Sequence, residues 1–150
     1  MSQVMENTVL FLCTGNYYRS RFAEHFFNAV AVKEGLCWRA DSRGLAVGRS
    51  GKNVGPLSVL AIQVMEELGI RLDSPLRFPV QVKEDDLHRS DLIVAVKEAE
   101  HRPLLEEQFS FWADRVEYWH VHDLDFATHE DTLPHIQREV LGLVRRLKVR

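Results

Sequence analysis

Apolar positions along the chain fall into alternating short runs and helical stripes. Thr8-Val9-Leu10-Phe11-Leu12 predicts a first strand. After a polar loop, Phe22, Phe26, Ala29 and Val30 recur at i, i+4, i+7 and i+8, the stripe of an amphipathic helix. Trp38 to Ser42 reads as a short second strand closed by Arg43-Gly44. Leu60, Ala61, Val64, Met65 and Leu68 return to helical spacing, and Gly69 supplies the stop. Leu92-Ile93-Val94-Ala95-Val96 is a continuous apolar run, as expected of a central parallel strand covered on both faces. A helix from about Glu98 to Gln108 and a strand from Val116 to Val121 follow. The last helix is expected to begin near Thr132-Leu133-Pro134, a cap and an early proline, and to bury Ile136, Val140, Val144 and Leu147. This order predicts an α/β fold in three layers, a four-stranded parallel doubly wound sheet with helices on both faces. Ligands of such sheets sit beyond the carboxyl ends of the strands. Cys13 follows the first strand and Asp123 the fourth, so both are expected on one rim.

Length and composition narrow the class. A chain of 150 residues suits a single domain, 1–150, that buries roughly 70% of its unfolded surface. No apolar run approaches the ~20 residues of a membrane span, and the first residues lack the layout of a secretory signal. The net charge of -3 gives no broad reason to bind nucleic acid or an anionic membrane. With two cysteines placed far apart in the pattern, a reduced, cytoplasmic setting is expected. Cys37 is expected in the core. His120 and His122 alternate on a strand beside Asp123, with His129 beyond, but a solvated or supporting role is preferred to a metal site. The basic end of the last helix reads as a solvated terminus.

The first loop carries the chemistry. Cys13-Thr14-Gly15-Asn16-Tyr17-Tyr18-Arg19-Ser20 links strand to helix and brackets a tight turn between a cysteine and an arginine. Gly15 permits close backbone approach, and the amides of Thr14 to Arg19 can converge as a nest for a tetrahedral oxyanion. The following helix points its positive end at the same spot. Arg19 offers a planar fork that matches two phosphoryl oxygens. Cys13, as thiolate, would attack phosphorus in line and form a phosphocysteine that water hydrolyses, while the Ser20 hydroxyl eases its departure. One carboxyl group can protonate the leaving group and then activate the water. Asp123 and Asp125 are the candidates. Neither metal nor cofactor is required, because loop and arginine already neutralise the transferring group.

Val9 to Ser20 resembles the signature of the low-molecular-weight protein tyrosine phosphatases, Val-Leu-Phe-Val-Cys-x-Gly-Asn-x-Cys-Arg-Ser, and Ala23-Glu24 continues the match. Asp41-Ser42 with Gly44, Leu68-Gly69-Ile70 and Asp91 to Ala95 resemble further family segments, so the likeness covers nearly the whole chain. It implies Cys13 as nucleophile, Arg19 as clamp and Asn16 with Ser42 as a brace for the loop; Ser42 read alone is equally an ordinary strand-end cap. Three departures stand out. Tyr18 replaces the second loop cysteine, which removes a protective disulfide partner. In the family's Asp-Pro-aromatic segment, Asp123 takes the acid position, Leu124 the proline and Asp125 the aromatic, leaving Phe126 or Tyr17 to supply a wall for the substrate ring. The stretch from Val47 to Ser58 is longer than the family's.

The expected substrate is a phosphotyrosine protein or a small aryl phosphate, and the expected assembly a monomer or weak dimer. Two other readings compete. An arsenate reductase shares the loop but needs further cysteines, and only Cys37 remains. A phosphate-binding module would hold modified partners without turnover.

Overall fold

The computed structural model describes residues 6–49, 53–124 and 127–149. Four parallel strands form one sheet in the order β2-β1-β3-β4: β1 (Asn7–Cys13), β2 (Trp38–Gly44), β3 (Leu92–Ala95) and β4 (Glu117–Tyr118). The helices are α1 (Arg19–Lys33), α2 (Val59–Glu67), α3 (Glu84–Arg89), α4 (Glu98–Gln108) and α5 (His129–Lys148). Strand alternation divides the core. Val9, Phe11 and Cys13 of β1 face a layer built with Phe22 and Phe27 of α1 and Ile136, Val140 and Val144 of α5. Leu10 and Leu12 face the opposite layer, with Leu87 of α3 and Leu105 of α4. The central strand is therefore apolar on both faces, and the expected three-layer α/β architecture is the one observed.

Several details differ from the pattern reading. In α1 the buried apolar set is Phe22, Ala23, Phe26, Phe27 and Ala31, while Ala29 is exposed. This helix lies against both β2 and α5, so its buried face is wider than one stripe and rotated from the expected line. Ordered pairing in β4 covers only Glu117–Tyr118. Beyond it the chain stays beside β3 through single bonds, Trp119 N–H to Ala95 O and Val121 N–H to Val96 O. As an edge strand, β4 has a partner on one side only. Helix α5 begins at His129 behind an extended Thr128, so Pro134 lies inside the helix, and the Thr132 hydroxyl donates to His122 O at 3.2 Å rather than capping. Cys37 is exposed, not in the core, because it precedes β2 on the amino-terminal edge of the sheet, where its carbonyl accepts from Asn7 N–H. The six-residue α3 is too short to show a period; it is held by Asp86, which accepts from Lys83 N–H at 2.9 Å and pairs with Arg89. Among the described residues no helix is long and apolar enough to cross a membrane.

Candidate active site

The carboxyl end of β1 delivers Cys13, 3% exposed, into the turn that α1 continues from Arg19. The turn closes because Asn16 adopts φ +51°, a left-handed conformation that asparagine tolerates better than most residues. It also needs Gly44 at the end of β2. A Cβ there would lie 2.5 Å from Val47 Cγ2 and 2.9 Å from Thr14 O, so no larger residue lets the two strand ends meet. The Cys13 Sγ lies 2.9 Å from Ser20 Oγ and accepts from Asn16 N–H at 3.3 Å.

Behind the loop, the Asn16 amide is fully used. Its Nδ2 donates to Ser20 Oγ and to Ser42 Oγ, each at 2.9 Å. Its Oδ1 accepts from Arg77 Nη1 and Val80 N–H, each at 3.0 Å. Ser42 donates onward to Glu24 Oε1 at 2.6 Å, and Arg77 Nη2 reaches the same carboxylate at 3.2 Å. Sequence reasoning anticipated Asn16, Ser20 and Ser42 here. It missed Arg77, which arrives from a loop 61 residues away, and the bracing use of Glu24. It also missed Arg21, 1% exposed, whose Nη1 donates to Pro56 O at 2.9 Å and Nη2 to Arg77 O at 2.7 Å. Burial and the nearby Arg77 lower the Arg21 pKa to about 10. This arginine ties the long 47–58 segment to the loop.

A cavity of about 410 Å³ opens in front. Cys13, Thr14, Gly15, Tyr17, Tyr18 and Arg19 line its floor, and Asp123 and Leu124 stand at its rim. Asn53 lines it too, and its Nδ2 sits 3.0 Å from where a Gly15 Cβ would be. Asn16 and Ser20 are fully buried behind it. Tyr17 flanks the opening, its hydroxyl donating to Val54 O. The Tyr18 ring is buried, and its hydroxyl has no hydrogen-bond partner among the described residues. Burial, then the charge of Asp123, raises its pKa. Asp125 and Phe126 lie outside the described residues. No group of three or more His, Cys, Asp or Glu among the described residues is placed to hold a metal ion.

Arg19 is 2% exposed and held on several sides. Nη1 donates to Glu100 Oε1 and to Val121 O, both at 3.2 Å, and Nη2 to Glu100 Oε2 at 2.7 Å. Asp123 Oδ2 lies 3.5 Å from the same Nη2. Burial works against the charge, yet Cys13, Glu100 and Asp123 together raise the Arg19 pKa. Burial also pushes the Glu100 carboxyl up, but hydrogen bonds from His101, Arg19 and Thr14 overcome it and hold the group well below the usual carboxylate range. The site thus gathers a thiol, a fixed guanidinium and a rim carboxylate around one cavity.

Comparison with known proteins points one way. A family model described as low molecular weight phosphotyrosine protein phosphatase matches residues 8–148. The protein-arginine-phosphatase of Bacillus subtilis (strain 168) is 31% identical over 111 residues, 72% of this chain and 67% of that protein. The low molecular weight protein-tyrosine-phosphatase YfkJ of the same organism is 37% identical over 92 residues, 59% of this chain and 55% of that protein. The crystal structure of YfkJ superposes with a TM-score of 0.82 at 25% identity, covering 98% of each chain. A low molecular weight protein tyrosine phosphatase from T. tengcongensis gives a TM-score of 0.77 at 26% identity, covering 94% of this chain and 99% of the other.

Proposed function

The chain belongs to the low-molecular-weight phosphotyrosine protein phosphatase family, and from that premise we propose that Cys13 is the nucleophile of a two-step phosphomonoester hydrolysis. The observation that carries this reading is the seat of Cys13 Sγ, 2.9 Å from Ser20 Oγ and 3.3 Å from Asn16 N, in a cavity shared with Arg19 and Asp123. Sγ attacks phosphorus as the bond to the leaving oxygen breaks, and Asp123 supplies that oxygen with a proton. Arg19 and the amides of the loop, from Thr14 to Ser20, hold the equatorial oxygens throughout. Water then attacks the phosphocysteine, Asp123 takes its proton, and the Ser20 hydroxyl steadies the departing thiolate. Asn16, Ser20 and Ser42 keep the loop open to its ligand. Tyr17 is the wall against the substrate ring, with Phe126 as a further candidate.

The substrate proposed is phosphotyrosine in a protein, with phosphoarginine as the second reading, favoured by the likeness to the protein-arginine-phosphatase. The chain is taken as one catalytic domain, a monomer or weak dimer in the cytoplasm. Support for a reduced setting comes from Cys37, which precedes β2 at the end of the sheet opposite Cys13. Para-nitrophenyl phosphate turnover, with a pre-steady-state burst of leaving group, tests the chemistry: Cys13→Ser abolishes both. Binding of phosphate without a burst would instead make the chain a recognition module. Parallel assays on phosphotyrosine and phosphoarginine peptides decide the substrate.

A further inference from the structure

Arg19 presents two distinct edges: Glu100 takes the end of its fork, while the proposed acid Asp123 stands with Oδ2 3.5 Å from Nη2. Glu100, in the first turn of α4, meets the guanidinium end-on, Oε1 with Nη1 at 3.2 Å and Oε2 with Nη2 at 2.7 Å. The remaining reach of Nη1 goes to Val121 O. An end-on carboxylate uses the two Nη groups and leaves the Nε–Nη2 side to bind two more oxygens in parallel. That side is the one a phosphoryl group needs.

The carboxylate is itself held in place. Thr14, a member of the loop, donates its hydroxyl to Glu100 Oε2. His101 is fully buried, with Nε2 3.2 Å from both Thr14 Oγ1 and Glu100 Oε2. Its Nδ1 accepts from Lys97 N–H at 3.1 Å, so the ring proton sits on Nε2 and donates into this cluster. A loop hydroxyl and an imidazole on α4 therefore fix one carboxylate, which fixes one guanidinium.

We propose that Glu100 is a positioning residue for phosphoryl transfer, aiming the Nε–Nη2 edge of Arg19 at the phosphoryl group, with Thr14 and His101 holding it in register. The proposal rests on the reading of Arg19 as the phosphate clamp. Misaligning the fork weakens it most where the oxygens spread in the trigonal transition state, so orthovanadate, which adopts that geometry, is the sensitive probe.

The test is a double-mutant cycle of Glu100→Ala and Arg19→Ala, read as kcat/KM on para-nitrophenyl phosphate and as inhibition by orthovanadate and inorganic phosphate. In the wild-type background Glu100→Ala is expected to lower kcat/KM about 100-fold, the scale of one lost transition-state donor. Vanadate inhibition should weaken more than phosphate inhibition. Glu100→Gln, which keeps an acceptor for one Nη, should recover about tenfold of the loss. In the Arg19→Ala background, Glu100→Ala should cost nothing further. An equal loss in both backgrounds overturns the proposal, because Glu100 would then act independently of Arg19. So does wild-type kcat/KM in Glu100→Ala alongside a crippled Arg19→Ala. Full activity in Arg19→Ala would instead overturn the clamp reading itself. Should Glu100→Ala fail to fold by circular dichroism, Glu100→Gln carries the same cycle.

Discussion

Asn16 concentrates more of the site than any other single residue. Its left-handed φ bends the loop, and both ends of its amide are used by four groups from three segments of chain. Asn16→Ala would leave Val80 N–H and the buried Ser42 and Ser20 hydroxyls short of partners in a strained turn. A stability loss of about 2–4 kcal/mol in urea titration is expected, together with loss of turnover. A loss below about 1 kcal/mol would mean that the brace carries little. Tyr18 is the opposite case. Its ring packs in the core while its hydroxyl is buried without a partner among the described residues. Tyr18→Phe removes an unsatisfied donor and leaves the packing, so it should be neutral or stabilise by up to about 1 kcal/mol. Destabilisation beyond that size in the same titration would show that the hydroxyl finds a partner in solution.

At the scale of elements, the first turn of α4 makes stability depend on pH. Burial lowers the His101 pKa from 6.5, so below that value the unfolded chain takes up a proton that the folded chain refuses. Stability therefore falls as pH drops through the unfolded value. Burial lowers the pKa of His25 on α1 too, which adds a contribution of the same sign. Glu100 acts further down. Its folded pKa is depressed, so its contribution is complete above the ordinary 4.5 and fades as pH falls toward the folded value. Denaturation midpoints from pH 8 to pH 2 should decline in two stages, the second below the ordinary carboxylate value, and His101→Gln should reduce the first stage while leaving the share of His25. An unchanged upper stage in that variant would place the titration elsewhere. Elements also mark how far the chain could be read from pattern alone. Strands β1 and β3 were legible because a strand covered on both faces needs an unbroken apolar run. Helix α3 was not, since six residues show no period, and the start of α5 was misplaced because Thr132-Leu133-Pro134 mimics a helix start, whereas the chain turns helical directly after the extended Thr128.

Across the whole molecule, the part of the site that is contiguous in sequence was legible, and the part assembled by folding was not. Cys13 to Ser20 announces an oxyanion loop because one strand, one turn and one helix start build it. Glu100 and Arg77 reach the same loop from 81 and 61 residues away, and nothing in their local sequence distinguishes them from surface charges. The same long-range layout governs oxidation. Cys37 adjoins the register pair Asn7 and Trp38, whereas Cys13 pairs with Gly44 at the other end of the strands. Six residues of strand separate them by about 20 Å, far beyond the reach of a disulfide. Tyr18 occupies the position from which a second loop thiol could answer. Cys13 oxidised by hydrogen peroxide thus has no resolving thiol at hand, and its sulfenic acid proceeds to sulfinic acid as exposure continues. Activity recovered by dithiothreitol should decline with peroxide time in the wild type and in Cys37→Ser alike. Tyr18→Cys should hold a recoverable fraction through a disulfide between Cys13 and the introduced thiol, visible by mass spectrometry. The layout also denies Cys37 the resolving role that arsenate reduction requires, so no thiol-coupled arsenate reduction is expected. Faster irreversible loss in Cys37→Ser than in the wild type would show that the two thiols do meet, and would reopen that chemistry.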